Sequence, residues 1–126
     1  MKVRDIMTDI AVSVSPSTVV MEAAHMMKVH GITLIPVCSM GKFRGVITAE
    51  DIVTRLVANG TDPVCASAIL VMNSNYPRIS PDADITEAAR IMVNDNIYNL
   101  PVVQDSKLFG LVALYDVIVN GMLLDA

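Results

Sequence analysis

Apolar residues along this chain recur with two periods, and each period appears twice. Positions 85, 88, 89, 92 and 93 fall on one stripe of a 3.6-residue repeat and predict a helix over Ile85–Asp95. Met21, Ala24 and Met27 trace a similar stripe in a helix over Val19–His30; a Met stripe of this kind reads as core. Asp84 followed by Glu87 has the form of a capping box. Gly31 is placed to close the first helix in a left-handed conformation, and Asn96 stands at the equivalent point of the second. Two apolar runs joined by a short polar turn follow each helix. Thr33–Cys38 and Phe43–Thr48 join through "SMGK", Tyr98–Val103 and Leu108–Ala113 through "QDSK", which predicts two β-hairpins. A last helix follows each hairpin, over Ala49–Ala58 and Leu114–Leu124. Ahead of each amphipathic helix stands a short helical turn, Val3–Met7 and Val64–Met72, with Asp62 as cap and Pro63 at the first helical position of the latter. An extended piece comes next, "AVSVS" and "YPRIS", ended by Ser-Pro.

The two sets of elements are copies. Shifting the chain by 65 residues, as from Met7 to Met72, lays it over itself without a gap. "SPSTVVMEAAHMM" covers "SPDADITEAARIM", "GITLIPV" covers "NIYNLPV", and "GKFRGVITAEDIV" covers "SKLFGLVALYDVI". Identical pairs include Pro16/Pro81, Glu22/Glu87, Pro36/Pro101, Gly45/Gly110 and Asp51/Asp116. The expectation is an α+β protein of two β-α-β-β-α repeats, residues 1–61 and 62–126, packed about a pseudo-twofold axis with two related clefts. One repeat alone has little core.

Composition adds a partner and removes several. Hydrophobic residues make up 53% of the chain and aromatic ones 4%, so the apolar mass is aliphatic and Met. That is high for a small soluble monomer and predicts a homodimer, with helices Ala49–Ala58 and Leu114–Leu124 facing their counterparts. No apolar run of about 18 residues is present, and "MKVRDIMTDI" carries Asp5 and Asp9 instead of a signal-peptide core. These features predict a cytoplasmic protein with no membrane partner. A net charge of −4 without a basic block argues against nucleic acid, and leaves room for a small anion at one site. Cys38 ends the apolar run "LIPVC" and reads as a core thiol; neither it nor Cys65 belongs to a CxxC pair. His25 and His30, five apart, fall on different helix faces, which disfavours a shared metal. His30, just before Gly31, reads as a cation at a helix C-terminus.

The stretch "GVITAED", residues 45–51, has two readings. Thr48 can be an N-cap and Asp51 a first-turn acid. The same hydroxyl and carboxylate can instead grip a ligand where the strand opens into the helix. No Ser-His-Asp set, metal cluster, Walker loop or GxGxxG accompanies them, so an enzyme is not expected.

The order "DIM", "SP…EAA..M", "GI..IPV", "GK..GVITAEDIV", repeated at one offset, resembles the cystathionine-β-synthase (CBS) domain, and the tandem resembles a CBS pair, or Bateman module, of the stand-alone kind. The resemblance covers essentially the whole chain. It implies a regulatory module that binds an adenosyl compound (AMP, ADP, ATP, S-adenosylmethionine or adenosine) in the clefts, with an unidentified effector protein as a further partner. The family pattern Gly-hydrophobic-x-Thr/Ser-x-x-Asp falls on Gly45, Thr48 and Asp51. Gly45 would let backbone and ligand approach, Thr48 would bond a ribose or phosphate oxygen, and Asp51 would accept from the ribose hydroxyls. The adenine side would come from Tyr76, Arg78 and Ile79 and from Ile97, Tyr98, Asn99 and Pro101.

The second copy keeps Gly110 and Asp116 but has Ala113 where the hydroxyl is expected. Its cleft, facing Val12, Ser13, Val14, Thr33 and Pro36, is expected to bind more weakly or stay empty. Nucleotide-binding members often carry His or Arg just before "LPV"; here those places hold Tyr98 and Asn99, and Thr33 and Leu34 before "IPV" in the other copy. A phosphate would then rely on Arg78, Arg44 or Lys42, and adenosine or S-adenosylmethionine competes with AMP as the ligand. The alternative reading is a structural dimerisation module with empty clefts, which "DIVTRLVA" and "DVIVNGMLL" also suit.

Overall fold

A computed structural model describes residues 1–9 and 12–124, without the side chains of 122–124. The described residues fall into two compact units, one of residues 12–76 and one of residues 1–9 with 77–124. This division does not follow the 61/62 boundary between sequence repeats.

The 12–76 unit contains α1 (Val20–His30), β1 (Leu34–Ser39), β2 (Lys42–Thr48), α2 (Ala49–Ile52) continuing as a π-helix over Val53–Val57, and α3 (Ala68–Val71). The other unit begins with a 3-10 turn (Val3–Asp5) and continues with α4 (Ile85–Asp95), β3 (Asn99–Gln104), β4 (Lys107–Ala113) and α5 (Leu114–Leu124). Each hairpin is antiparallel, with register Leu34↔Thr48 to Ser39↔Lys42 in one and Asn99↔Ala113 to Gln104↔Lys107 in the other, and each has a bulge, at Val37/Cys38 and Val102/Val103. Met40–Gly41 and Asp105–Ser106 form two-residue turns with positive φ, the twist such hairpins need. Gly31 (φ 64°) and Asn96 (φ 53°) close α1 and α4 in the left-handed conformation, as their sequence places predict.

Two small cores form. Val20, Ala23, Met27, Ile35, Val37, Ile47, Leu56 and Val71 pack in one unit, and Val3, Ala88, Met92, Leu100, Val102, Val112 and Val117 in the other. In α1 the buried stripe is shifted by a position from the expected one, whereas in α4 Ile85, Ala88 and Met92 are buried as expected. Met21 and Val93 are exposed, while Val20, Ala23 and Ile85 are buried. The backbone contacts that seat the start of α1 decide its shift.

Each repeat's leading segment is folded onto the other repeat's elements. The Val20 N–H donates to the Ala66 carbonyl, and the equivalent Ile85 N–H to the Met1 carbonyl. Ala68 N–H donates to Thr18, and Val3 N–H to Ala83. Ile69 N–H donates to Pro16, and Arg4 N–H to Pro81. Arg4 adds an ion pair with Asp82. These bonds meet donors and carbonyls at helix ends that would otherwise lie unpaired. They also correct the expected helix Val64–Met72. Residues 63 and 66 spend their carbonyls on Met21 and Val20, Asp62 accepts from the Val64 N–H in a turn, and the helix starts only at Ala68. The pieces "AVSVS" and "YPRIS" reduce among the described residues to single parallel bridges, Val14↔Val37 and Ile79↔Val102; Ala11 lies outside the description.

After the leading helical turn, Asn73 pairs with Val46 and Thr8 with Leu111, each by two backbone hydrogen bonds of 2.9–3.1 Å. A side chain at the residue before each pair is excluded. A Cβ on Gly45 would stand 2.6 Å from the Asn73 carbonyl oxygen, and one on Gly110 closer still to that of Thr8.

Cys38 is half-buried and burial pushes its thiol pKa up; Cys65 is exposed, and both are free. His25 and His30 are exposed. No helix among the described residues is long and apolar enough to cross a membrane.

Asp84 caps α4, but not through the box expected with Glu87. Its carboxylate accepts from the Thr86 N–H and hydroxyl, both at 2.9 Å. The backbone bond, then the hydroxyl bond, holds the Asp84 carboxyl below its ordinary range. That contribution to stability is present above the ordinary Asp value of about 4 and is lost as pH falls through the lower folded-state value. Asp84→Asn keeps a capping side chain without the charge, so its urea midpoint should fall less than wild type's between about pH 5 and pH 2; parallel curves would contradict this. Gly45→Ala and Gly110→Ala push a methyl into backbone that has no rotamer to yield. Each should destabilise the protein by about 1–3 kcal/mol in chemical denaturation.

Candidate functional site

Thr48 ends β2 and caps α2, because its extended backbone (φ −109°, ψ 156°) leaves the hydroxyl facing the first turn. Its Oγ1 accepts from the Asp51 N–H at 3.0 Å and donates to Asp51 Oδ2 at 2.8 Å. Thr48 N–H reaches the same Oδ2 at 3.4 Å. The two readings of "GVITAED" are therefore compatible: the pair is a capping box, and the box fixes the carboxylate. Both bonds to the carboxylate land on Oδ2. Oδ1, on a half-buried side chain, is left by these bonds to accept from another donor. The Thr48 hydroxyl, by contrast, is already donor and acceptor within the box.

The neighbours of the box come from β1 and the residue before it. The Ala49 N–H donates to the Thr33 carbonyl at 2.9 Å, and Leu34 faces Thr48 in the hairpin register. Thr33, expected to serve the cleft of Asp116, thus lies at the start of Asp51's own helix. Val14 and Pro36 are buried and joined by the Val14 N–H to Pro36 carbonyl bond, while Val12 is half-buried and Ser13 exposed. Gly45, expected to admit a ligand, is explained by the Asn73 carbonyl that stands against it.

The residues expected around Asp51 are distributed over both units. Gly45, Thr48, Asp51 and Tyr76 belong to the 12–76 unit; Arg78, Ile79, Ile97, Tyr98, Asn99 and Pro101 belong to the other. In that second unit Ile79 and Pro101 are buried, and the Ile79 N–H donates to the Pro101 carbonyl at 3.0 Å. Asn99 faces Ala113 in register, and the Leu114 N–H donates to the Tyr98 carbonyl at 2.9 Å, the counterpart of Ala49 and Thr33. Tyr98 is 68% exposed, so its ring is free of the core. Asp116 is half-buried. Ala113, at the place of Thr48, has no hydroxyl with which to fix it. Arg44, Lys42 and Arg78 are all exposed.

Sequence reasoning missed one cation. The expected helix Ala49–Ala58 turns π-helical at Val53, with the Ala58 N–H reaching back to the Val53 carbonyl. The Thr54 hydroxyl takes the Glu50 carbonyl at 2.8 Å and competes with the regular ladder. Within this stretch Arg55 Nη1 donates to the carbonyls of Val71 at 3.1 Å and Met72 at 3.4 Å. Its only sequence signal is a cation four residues after Asp51.

The CBS-domain family model matches this chain twice, over residues 3–58 and 66–120. CBS domain-containing protein YhcV of Bacillus subtilis is 37% identical over 123 residues, which cover 95% of this chain and 85% of that protein. Among solved structures, Hypoxic Response Protein I with two coordinated zinc ions is 28% identical with a TM-score of 0.85, covering 94% of this chain and 98% of that one. The CBS-domain containing protein ATU1752 from Agrobacterium tumefaciens has a TM-score of 0.83 at 23% identity, covering 96% and 99%. Among the described residues of this chain, no three or more His, Cys, Asp or Glu are grouped to hold a metal.

Thr48→Val removes the acceptor for the Asp51 N–H and the donor to its carboxylate, and should destabilise the protein by about 1 kcal/mol in urea unfolding. Thr48→Ser should restore most of that loss.

Proposed function

Since the chain belongs to the CBS-domain family, whose paired members are regulatory ligand-binding modules, we propose that it senses an adenosyl compound through the Thr48–Asp51 box. The observation that carries this reading is the fixed carboxylate. Asp51 is held through Oδ2 and presents Oδ1, the acceptor that a ribose hydroxyl needs. Such a bond to a charged acceptor is worth about 1.5–3 kcal/mol. Asp116 lacks the hydroxyl that fixes its counterpart, so the first repeat binds more tightly than the second. Among the ligands the family implies, those with little negative charge, adenosine and S-adenosylmethionine, suit the box best. The box contributes an acidic side chain and no basic one, and Arg44, Lys42 and Arg78 lie exposed. The ligand acts by population shift, favouring the conformation that it holds. The chain is a binding module and not an enzyme in this reading, and the effector it would serve is a separate protein.

Self-association is the second part of the proposal. Val53 and Val57 on the helix after β2, and Tyr115 and Ile118 on α5, are each more than half exposed. A homodimer that covers these helices would bury them; the side chains of 122–124 lie outside the described residues. Light scattering at micromolar concentration should give twice the monomer mass, and the monomer mass would overturn the dimer.

Calorimetry on ligand-free protein with adenosine, AMP, ADP, ATP and S-adenosylmethionine tests the binding reading. At least one should bind, and Asp51→Ala should weaken it about ten- to hundredfold. No heat from any of the five at millimolar concentration would overturn it.

A further inference from the structure

Thr48 is not the only difference between the two repeats at the candidate site. Arg55 has Asn120 as its counterpart, and the two side chains do different things. Asn120 Nδ2 donates to the Asp116 carbonyl at 2.7 Å, one turn back in its own helix. Arg55 leaves its helix and bonds the carbonyls of Val71 and Met72, which end α3. The hydroxyl that fixes the carboxylate and the cation that ties its helix to another segment therefore occur in the same repeat. Neither has an equivalent in the other.

The bonds around Arg55 close a ring. Val46 leads through Ile47 to the Thr48–Asp51 box. Arg55 lies four residues after Asp51 and holds Val71 and Met72. The next residue, Asn73, returns to Val46 by two backbone bonds, against the bare face of Gly45. The segment then runs on through Ser74 and Asn75 to Tyr76, the one expected base-side residue that shares a unit with Asp51. The Arg55 side chain joins the Asp51 helix directly to the start of this segment.

We infer that Arg55 is the positioning residue of the candidate site, fixing the Asp51 carboxylate relative to the 72–76 segment that carries Tyr76. This rests on the proposed adenosyl reading for what the two ends would hold, but the latch itself exists without a ligand. The guanidinium supplies a charged donor to two carbonyls at once. Replacing it frees the end of α3 and loosens the Asn73–Val46 pairing that α3 leads into, so the two ends lose their fixed spacing.

The test uses the full chain with Arg55→Met and Arg55→Lys. Without ligand, amide exchange at Met72, Asn73 and Val46 should rise about ten- to hundredfold in Arg55→Met, with amides of the α4 core unchanged. Arg55→Lys, which keeps a charged donor, should restore much of the protection. Unchanged exchange at all three amides in Arg55→Met, or a rise in Arg55→Lys equal to that in Arg55→Met, overturns the inference. With adenosine as probe, affinity should fall about tenfold in Arg55→Met and recover in Arg55→Lys. Equal affinity in wild type and Arg55→Met overturns the positioning role. If wild type binds no adenosyl compound, the exchange result still decides the latch and only the ligand reading fails. If Arg55→Met does not fold, the exchange of Arg55→Lys at Met72 and Asn73 decides: protection at the wild-type level supports the latch, since the charged donor is retained, and a hundredfold rise contradicts it.

Discussion

Two backbone pairings, Asn73 with Val46 and Thr8 with Leu111, constrain this structure more than any side chain does. Each attaches the leading segment of one repeat to the hairpin of the other, and each requires a residue without a side chain beside it, Gly45 or Gly110. Around them, the helix-end bonds from Val20 to Ala66 and from Ile85 to Met1 recur at the same spacing. A repeat of about 60 residues has too little core to stand alone. Here its first turn is stabilised by carbonyls and donors of the other repeat, so neither repeat is a folding unit in its own right. Val3 and Val71, both on leading segments, are fully buried in the cores they join.

This exchange separates what the sequence reveals from what it hides. Local chemistry is written locally. Gly31 and Asn96 close helices, "SMGK" and "QDSK" turn hairpins, and Thr48 with Asp51 makes a capping box, each as its residue types require. The family is legible for the same reason, since its motifs are the local ones. What depends on a distant carbonyl is not legible. The Val64–Met72 helix loses its first turn because Pro63 and Ala66 serve α1, and Met21 faces solvent because Val20 and Ala23 take the buried face. Gly45 reads from the sequence as room for a ligand, whereas the structure shows Asn73 there. Arg55 is silent in the sequence because its partners are backbone atoms 16 and 17 residues away.

The candidate site inherits the inequality of the repeats. A box that serves only as a helix cap needs the carboxylate no more than many other N3 acids, and α5 forms with Ala113 in place of the threonine. Only the first repeat spends a hydroxyl to aim its carboxylate and an arginine to tie that helix to the segment ending at Tyr76. Duplication supplied two copies of one frame, and the two differ at Thr48/Ala113 and Arg55/Asn120.

The central claim is that the Asp51 carboxylate accepts from the hydroxyls of a ribose. Comparing adenosine with 2′-deoxyadenosine by calorimetry, in wild type and in Asp51→Asn, addresses it directly. Loss of the 2′-hydroxyl should weaken binding to wild type about ten- to hundredfold and matter little once Asp51 is Asn. Equal affinity of the two nucleosides for wild type, or the same discrimination in Asp51→Asn, would contradict it.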